Sequence, residues 1–175
     1  VGVVCGKKKW MHRFRPERPA DICFARGTFK EHPVVMGAMA AFLDQIETSE
    51  IKTLYQGLDE RWNTRVQRFN STMQSHDIPL RAANMSSVWT LYYTQPSRYN
   101  WMLQYYLRIH GLALSWVGTG RMIFSLNYSD ADFEAVLQRF LLAATQMKHD
   151  GWWWHAPELT NKSIRRRILK ETFFR

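Results

Sequence analysis

Cysteine is scarce in this chain: Cys5 and Cys23 are the only two among 175 residues. Two thiols make neither a disulfide framework nor a metal-ligand pattern. A reducing, cytoplasmic compartment is therefore the default expectation. The six histidines show no His-x-x-x-His or mixed Cys/His spacing, so no metal site is expected. No apolar run reaches the roughly 20 residues of a membrane-spanning helix. The opening Val1-Gly2-Val3-Val4-Cys5-Gly6 lacks the basic start and long apolar stretch of a secretory signal. It also lacks an initiator Met and begins inside a strand-like run, which reads as the cut edge of a longer protein. Internal repeats and low-complexity segments are absent as well.

Acidic residues are in the minority, 15 against 24 Lys and Arg, giving a net charge of +9. An excess of that size points to polyanions when it is spread over one surface. Here much of it is clustered in two places, Lys7-Lys8-Lys9 through Arg18, and Arg165-Arg166-Arg167 with Lys170 and Arg175. Charge runs of this kind read first as solvated faces. With 46% hydrophobic residues the chain can fill a sizeable core.

The apolar periodicity alternates between two types. Residues 1–5 are β-branched and read as a buried strand, 8–14 as a short helix, and 15–30 as a loop holding Pro16 and Pro19. His32-Pro33 opens a helix, with the proline in the first turn where its missing N–H is harmless; Val35, Met39, Phe42, Leu43 and Ile46 carry its stripe. Ser49 is the expected N-cap of a second helix, whose stripe runs unbroken through Ile51, Leu54, Tyr55, Leu58, Trp62, Phe69 and Met73. Residues 81–94 predict one or two strands, and 99–109 a helix closed by Gly111. Residues 112–116 and 122–127 predict two more strands about a Gly118-Thr119-Gly120 turn. Ser129-Asp130-Ala131-Asp132 matches a capping box ahead of the helix carrying Phe133, Leu137, Phe140, Ala144 and Met147. Trp152-Trp153-Trp154 and a basic amphipathic tail follow. The fold class is α+β: a small, mostly antiparallel sheet with helices covering one face.

Several short segments carry a resemblance. Ala25-Arg26-Gly27-Thr28-Phe29-Lys30-Glu31-His32-Pro33-Val34-Val35-Met36 resembles the Gly-Thr-Phe-x-x-Asn-Pro-x-x-Met stretch of class III, fold-type I aminotransferases, which use pyridoxal 5'-phosphate. Val1 to Gly6 resembles the strand that follows their lysine loop. Leu107-Arg108-Ile109-His110-Gly111 resembles their lead into the small-domain strands. Phe124-Ser125-Leu126-Asn127-Tyr128-Ser129-Asp130-Ala131-Asp132-Phe133 resembles the Phe-x-Ser-x-Ala-His-Thr-x-x-Asp-Ile stretch of glutamate-1-semialdehyde 2,1-aminomutases. The pieces stand in family order over residues 1–147.

The resemblance implies the C-terminal portion of such an enzyme. Residues 1–31 would be a remnant of the large cofactor-binding domain, 32–150 the small domain with its linking helix, and 151–175 a Trp-rich basic tail. It implies a homodimer, a small amino acid or amino-ketone substrate, and neither nucleic acid nor membrane as partner. By the family pattern Thr28 and Gly27 bind the cofactor phosphate, Thr28 reaching into the neighbouring subunit's site. A hydroxyl and backbone N–H groups on a glycine turn suit a phosphate. Arg26 has the fork geometry for a phosphate or a substrate carboxylate. Many relatives carry a strand arginine that grips the substrate carboxylate; Ile123 stands near that position, and Arg121 lies two residues earlier on the same strand face. The family's Gly-Asn before proline is Glu31-His32 here. The Schiff-base lysine belongs before the first strand, hence upstream of Val1. Lys7, Lys8 and Lys9 fall after that strand, so the chain by itself carries no catalytic residue. The rival reading is a non-enzymatic basic α+β module that binds RNA or another polyanion, and an aminotransferase domain of a larger assembly-line protein is also compatible.

Overall fold

The computed structural model describes residues 6–11, 17, 32–114 and 120–174, in two compact units, Val1–Thr53 and Leu54–Arg175. The expected first strand, the end of the first helix at Phe14, the loop carrying Arg26, Gly27 and Thr28, and the residues 115–116 of the third expected strand lie outside the described residues.

The first unit contains α1 (Lys8–Met11) and α2 (Pro33–Ile46). His32 is extended, and Pro33 occupies the first helical turn as the sequence predicts. No α2 side chain is buried; Val34 and Phe42 remain 73% and 62% exposed. Helix α3 (Ser49–Tyr55) crosses the boundary between the units. Its cap is Thr48, not Ser49: the Thr48 hydroxyl accepts from the Ile51 N–H at 3.4 Å and donates to the Gln45 carbonyl at 2.8 Å. Ser49 is already helical.

The second unit opens with α4 (Leu58–Ser75). The single long helix expected from the apolar stripe is two helices, because Gly57 sits in the left-handed region at φ 66° and breaks the chain between α3 and α4. That conformation costs glycine nothing and most residues a kcal/mol or more. Strands β1 (Leu80–Met85) and β2 (Val88–Tyr93) form a hairpin about Ser86-Ser87, and β3 (Arg121–Ile123) adds to β2, so the order is β1-β2-β3 and every pairing is antiparallel. A short 3-10 turn (Asn100–Met102) leads into α5 (Leu103–Ile109), and α6 (Asp130–His149) and α7 (Asn161–Phe173) complete the unit.

The strands alternate as a one-sided sheet should. Leu80, Ala82, Trp89 and Leu91 face inward onto α4, α5 and α6. Trp62, Phe69, Trp89 and Phe140 meet edge to face at 5.3–5.8 Å between ring centres, and Met73, Leu107, Leu137 and Met147 are fully enclosed around them. Truncating one of these rings to Ala removes about 3–5 kcal/mol. The unit is thus the expected α+β layer.

Strand 112–116 is not formed over its described residues 112–114, and the strand expected at 122–127 is three residues long. The ladder stops because β2 runs out at the hairpin turn. Phe124 still donates its N–H to Ser87 O at 3.1 Å, and inward side chains continue with Phe124 stacked on Trp62 at 4.8 Å. Gly111, at φ 80°, closes α5 as expected. Ser129 and Asp132 form the capping box in both directions, at 3.1 and 3.0 Å.

Candidate functional site

The face of the sheet opposite the helices is the candidate site. It presents Arg81, Ala83, Met85, Val88, Thr90, Tyr92, Arg121 and Ile123, which alternate with the inward residues. Registry arranges them in rows: Met85, Val88 and Ile123 form one, Ala83, Thr90 and Arg121 the next, and Arg81 and Tyr92 the last. Met85 and Ile123 are 78% and 74% exposed, so the first row is an apolar strip against water. The three strands contain no Asp or Glu.

Two arginines stand on it. The Arg81 guanidinium is turned into its own strand end, where Nη1 donates to Leu80 O at 2.8 Å and Ile78 O at 3.2 Å. Arg121 starts β3, pairs in register with Thr90, and is exposed. Arg121 and Ile123 share this face, with Met122 turned inward between them. Gly120, at φ 65°, sets the approach to β3 by letting Leu91 donate its N–H to Gly120 O at 2.9 Å. A Cβ there would stand 2.9 Å from Leu91 O.

One feature lay beyond the sequence reading: Arg65, 5% exposed, whose guanidinium lies 4.5 Å from the Trp62 ring centre and donates to Tyr128 O at 2.9 Å and Asp130 Oδ1 at 2.7 Å. It fixes the turn between β3 and α6. Its position on the apolar α4 stripe, three residues after Trp62, was the available signal. The Trp152–Trp154 run singled out in the sequence packs onto the unit: Trp153 donates its indole N–H to Ala144 O at 2.9 Å, and Trp152 and Trp154 flank Tyr99 at 5.4 and 6.3 Å. These rings seat the tail on the unit. Burial pushes the Tyr93 hydroxyl, beside Trp153, up to about 12. Burial and a 2.7 Å hydrogen bond to Asp150 do the same for Tyr106. Among the described residues no group of His, Cys, Asp or Glu is placed to hold a metal, and no helix is long and apolar enough to cross a membrane.

No protein-family model matches the chain. Its fold does match solved structures, among them proteins described as transaminases. A structure described as a transaminase with PLP bound superposes with a TM-score of 0.63 at 15% identity, over 83% of this chain and 35% of that one. An omega-transaminase from Sphaerobacter thermophilus gives 0.58 at 15% identity, over 82% and 34%. A beta-phenylalanine aminotransferase from Variovorax paradoxus gives 0.58 at 20% identity, over 83% and 34%. The chain spans about a third of the length of these transaminases, and it has the fold of that part of them.

Proposed function

We propose that the chain is the C-terminal portion of a pyridoxal-phosphate-dependent aminotransferase. The observation that carries this reading is the agreement of two independent lines: the ordered class III motifs along residues 1–147, and the likeness of the fold to a third of a transaminase. In this reading residues 1–31 belong to the large domain, 32–150 to the small domain, and 151–175 to a tail.

Gly27-Thr28 has the donor chemistry to hold the cofactor phosphate, a hydroxyl beside glycine-freed backbone N–H groups. Pyridoxal phosphate, when bound, supplies the electron withdrawal that lets an amino group leave one carbon and join another. The contribution of this chain is to grip the phosphate through Thr28, in the neighbouring subunit of a homodimer, and to orient a small amino acid or amino-ketone. Arg121, on a strand without Asp or Glu, is the orienting cation, and Arg26 is a second candidate. The Schiff-base lysine is expected upstream of Val1. A cytoplasmic location follows from the scarcity of cysteine. The finer assignment is to the glutamate-1-semialdehyde aminomutase type, favoured by the 124–133 segment and by Ile123 where other relatives have arginine.

The test is a visible spectrum with added pyridoxal phosphate, before and after borohydride, on this chain and on a longer version that includes the preceding lysine. A borohydride-trapped adduct on one lysine of the longer version alone supports the reading. Its absence from both overturns it. In the longer version, Thr28→Ala should weaken cofactor retention with the far-UV circular dichroism unchanged; unaltered retention removes Thr28 from the site.

A further inference from the structure

The tail helix α7 carries a ridge of positive charge apart from the sheet strands. Residues 160–175 hold six cations, Lys162, Arg165, Arg166, Arg167, Lys170 and Arg175, and one carboxylate, Glu171. That carboxylate is committed. Arg98 grips it with both nitrogens, at 3.1 and 2.7 Å, and Arg167 adds a contact at 3.2 Å. The hydrogen bonds from Arg98 hold Glu171 below the usual carboxylate range. The clamp ties α7 to Arg98, and its single negative charge is shared between Arg98 and Arg167. Among the described residues, Lys162, Arg165, Arg166 and Lys170 have no acidic partner.

Three of these cations follow helical geometry. Lys162, Arg166 and Lys170 are four residues apart, so they stand in one row at intervals of about 6 Å. They line a shallow concavity of about 370 Å³ together with Thr160 and Arg167. The row ends in rings open to solvent: Phe173 is 74% and Phe174 85% exposed, and Leu169 between the cations is 50% exposed. A cation row leading to exposed aromatic faces is the arrangement that binds single-stranded nucleic acid, with phosphates on the row and unpaired bases on the rings. A duplex offers few open base faces to such rings. A membrane surface suits the helix less well. Interfacial helices insert a continuous apolar face, whereas on α7 Ile164 and Ile168 line the groove beside Arg98 and Trp154, and Leu169 and Phe173 are interleaved with the cations.

We propose that the exposed face of α7 binds single-stranded nucleic acid through Lys162, Arg165, Arg166 and Lys170, with Phe173 and Phe174 stacking on bases. This departs from the expectation of a chain without a nucleic-acid partner, and it stands independently of the pyridoxal phosphate reading. The test is fluorescence anisotropy of a labelled mixed-sequence single-stranded RNA with the full chain across a salt series. Four phosphate contacts give a log–log slope of about −3. The K162Q/R166Q/K170Q variant should bind at least tenfold more weakly with a slope near about −1, and F173A/F174A should weaken binding with the slope unchanged. Circular dichroism confirms that each variant keeps its helices. No binding at moderate salt overturns the proposal. So does binding that survives K162Q/R166Q/K170Q but is lost in K7Q/K8Q/K9Q, or a chain that sediments with phosphatidylserine vesicles while ignoring the RNA.

Discussion

Asn70 on α4 and Ala82 on β1 are joined by two hydrogen bonds: the Asn70 carboxamide accepts from the Ala82 N–H at 2.8 Å and donates to the Ala82 carbonyl at 2.9 Å. The side chain of a helix thus takes the place of a neighbouring strand on the outer edge of β1. Replacing it with leucine orphans two partly buried backbone groups. Asn70→Leu should destabilise the chain by about 2 kcal/mol or more, read as the urea midpoint of tryptophan fluorescence. A change below a few tenths of that would mean water replaces the amide.

Arg65 and Asp130 are unequal partners, with side chains 6% and 88% exposed. Loss of the arginine should cost about 2–3 kcal/mol, since it removes three charged hydrogen bonds, to two acceptors, and the Trp62 stack. Asp130→Asn should cost under about 1 kcal/mol, because the exposed carboxylate gains little over water. Arg65→Lys should resemble the loss, a point charge being unable to stack and donate to both acceptors. Equal costs for Arg65→Ala and Asp130→Asn would refute this asymmetry.

The α6 capping box makes stability depend on acid. Hydrogen bonds from the Ser129 side chain and backbone hold the Asp132 carboxyl below its ordinary value. A lowered folded pKa gives stability that is complete above the unfolded carboxylate range and is lost as pH falls through the folded value. Asp132→Asn should therefore cost stability at pH 7 and little at pH 2. Ser129→Ala should cost about 1 kcal/mol at pH 7. Chemical denaturation at both pH values checks this.

Tyr106 works in the opposite direction. Its hydroxyl is pushed up to about 12, first by burial and then by Asp150. The stability this contributes is complete below the unfolded tyrosine value near 10 and is lost as pH rises from there toward 12. Tyr106→Phe should lower stability by about 1 kcal/mol at neutral pH and flatten the loss between about pH 10 and 12. An unchanged alkaline limb would assign that lability elsewhere.

Two glycines separate backbone strain from crowding. At Gly111, φ 80°, a Cβ would meet the mobile end of the Arg139 side chain; at Gly120, φ 65°, it would meet the Leu91 backbone. Gly111→Ala should cost about 1–2 kcal/mol for the left-handed conformation alone, and Gly120→Ala clearly more, because a strand carbonyl cannot step aside. Comparable thermal midpoints would contradict the distinction.

The elements legible in the sequence are those whose signals are local. Pro33, Gly111 and the Ser129–Asp132 box each specify a helix end through their own backbone chemistry, and the structure places all three as read. Where a signal was shared by neighbours, the sequence was ambiguous. Thr48 and Ser49 both offer a hydroxyl, and only the backbone turn selects Thr48. The stripe from Leu54 to Leu58 keeps helical spacing across the break at Gly57, so periodicity concealed it. Inward alternation continues past Ile123 without a ladder, because side-chain facing and hydrogen bonding are separate properties of an extended segment. At the site, the common face of Arg121 and Ile123 followed from the period of two, whereas the Arg65 bridge required contacts 65 residues apart.

The Asn70 plug also bears on how concentrated protein behaves. An exposed strand edge is a template on which a second molecule can add strands indefinitely. Here one edge is occupied by a carboxamide, and the other belongs to a three-residue strand that starts with a cation, Arg121. Fibrous growth by backbone pairing is blocked at β1, and Asn70→Leu opens that route.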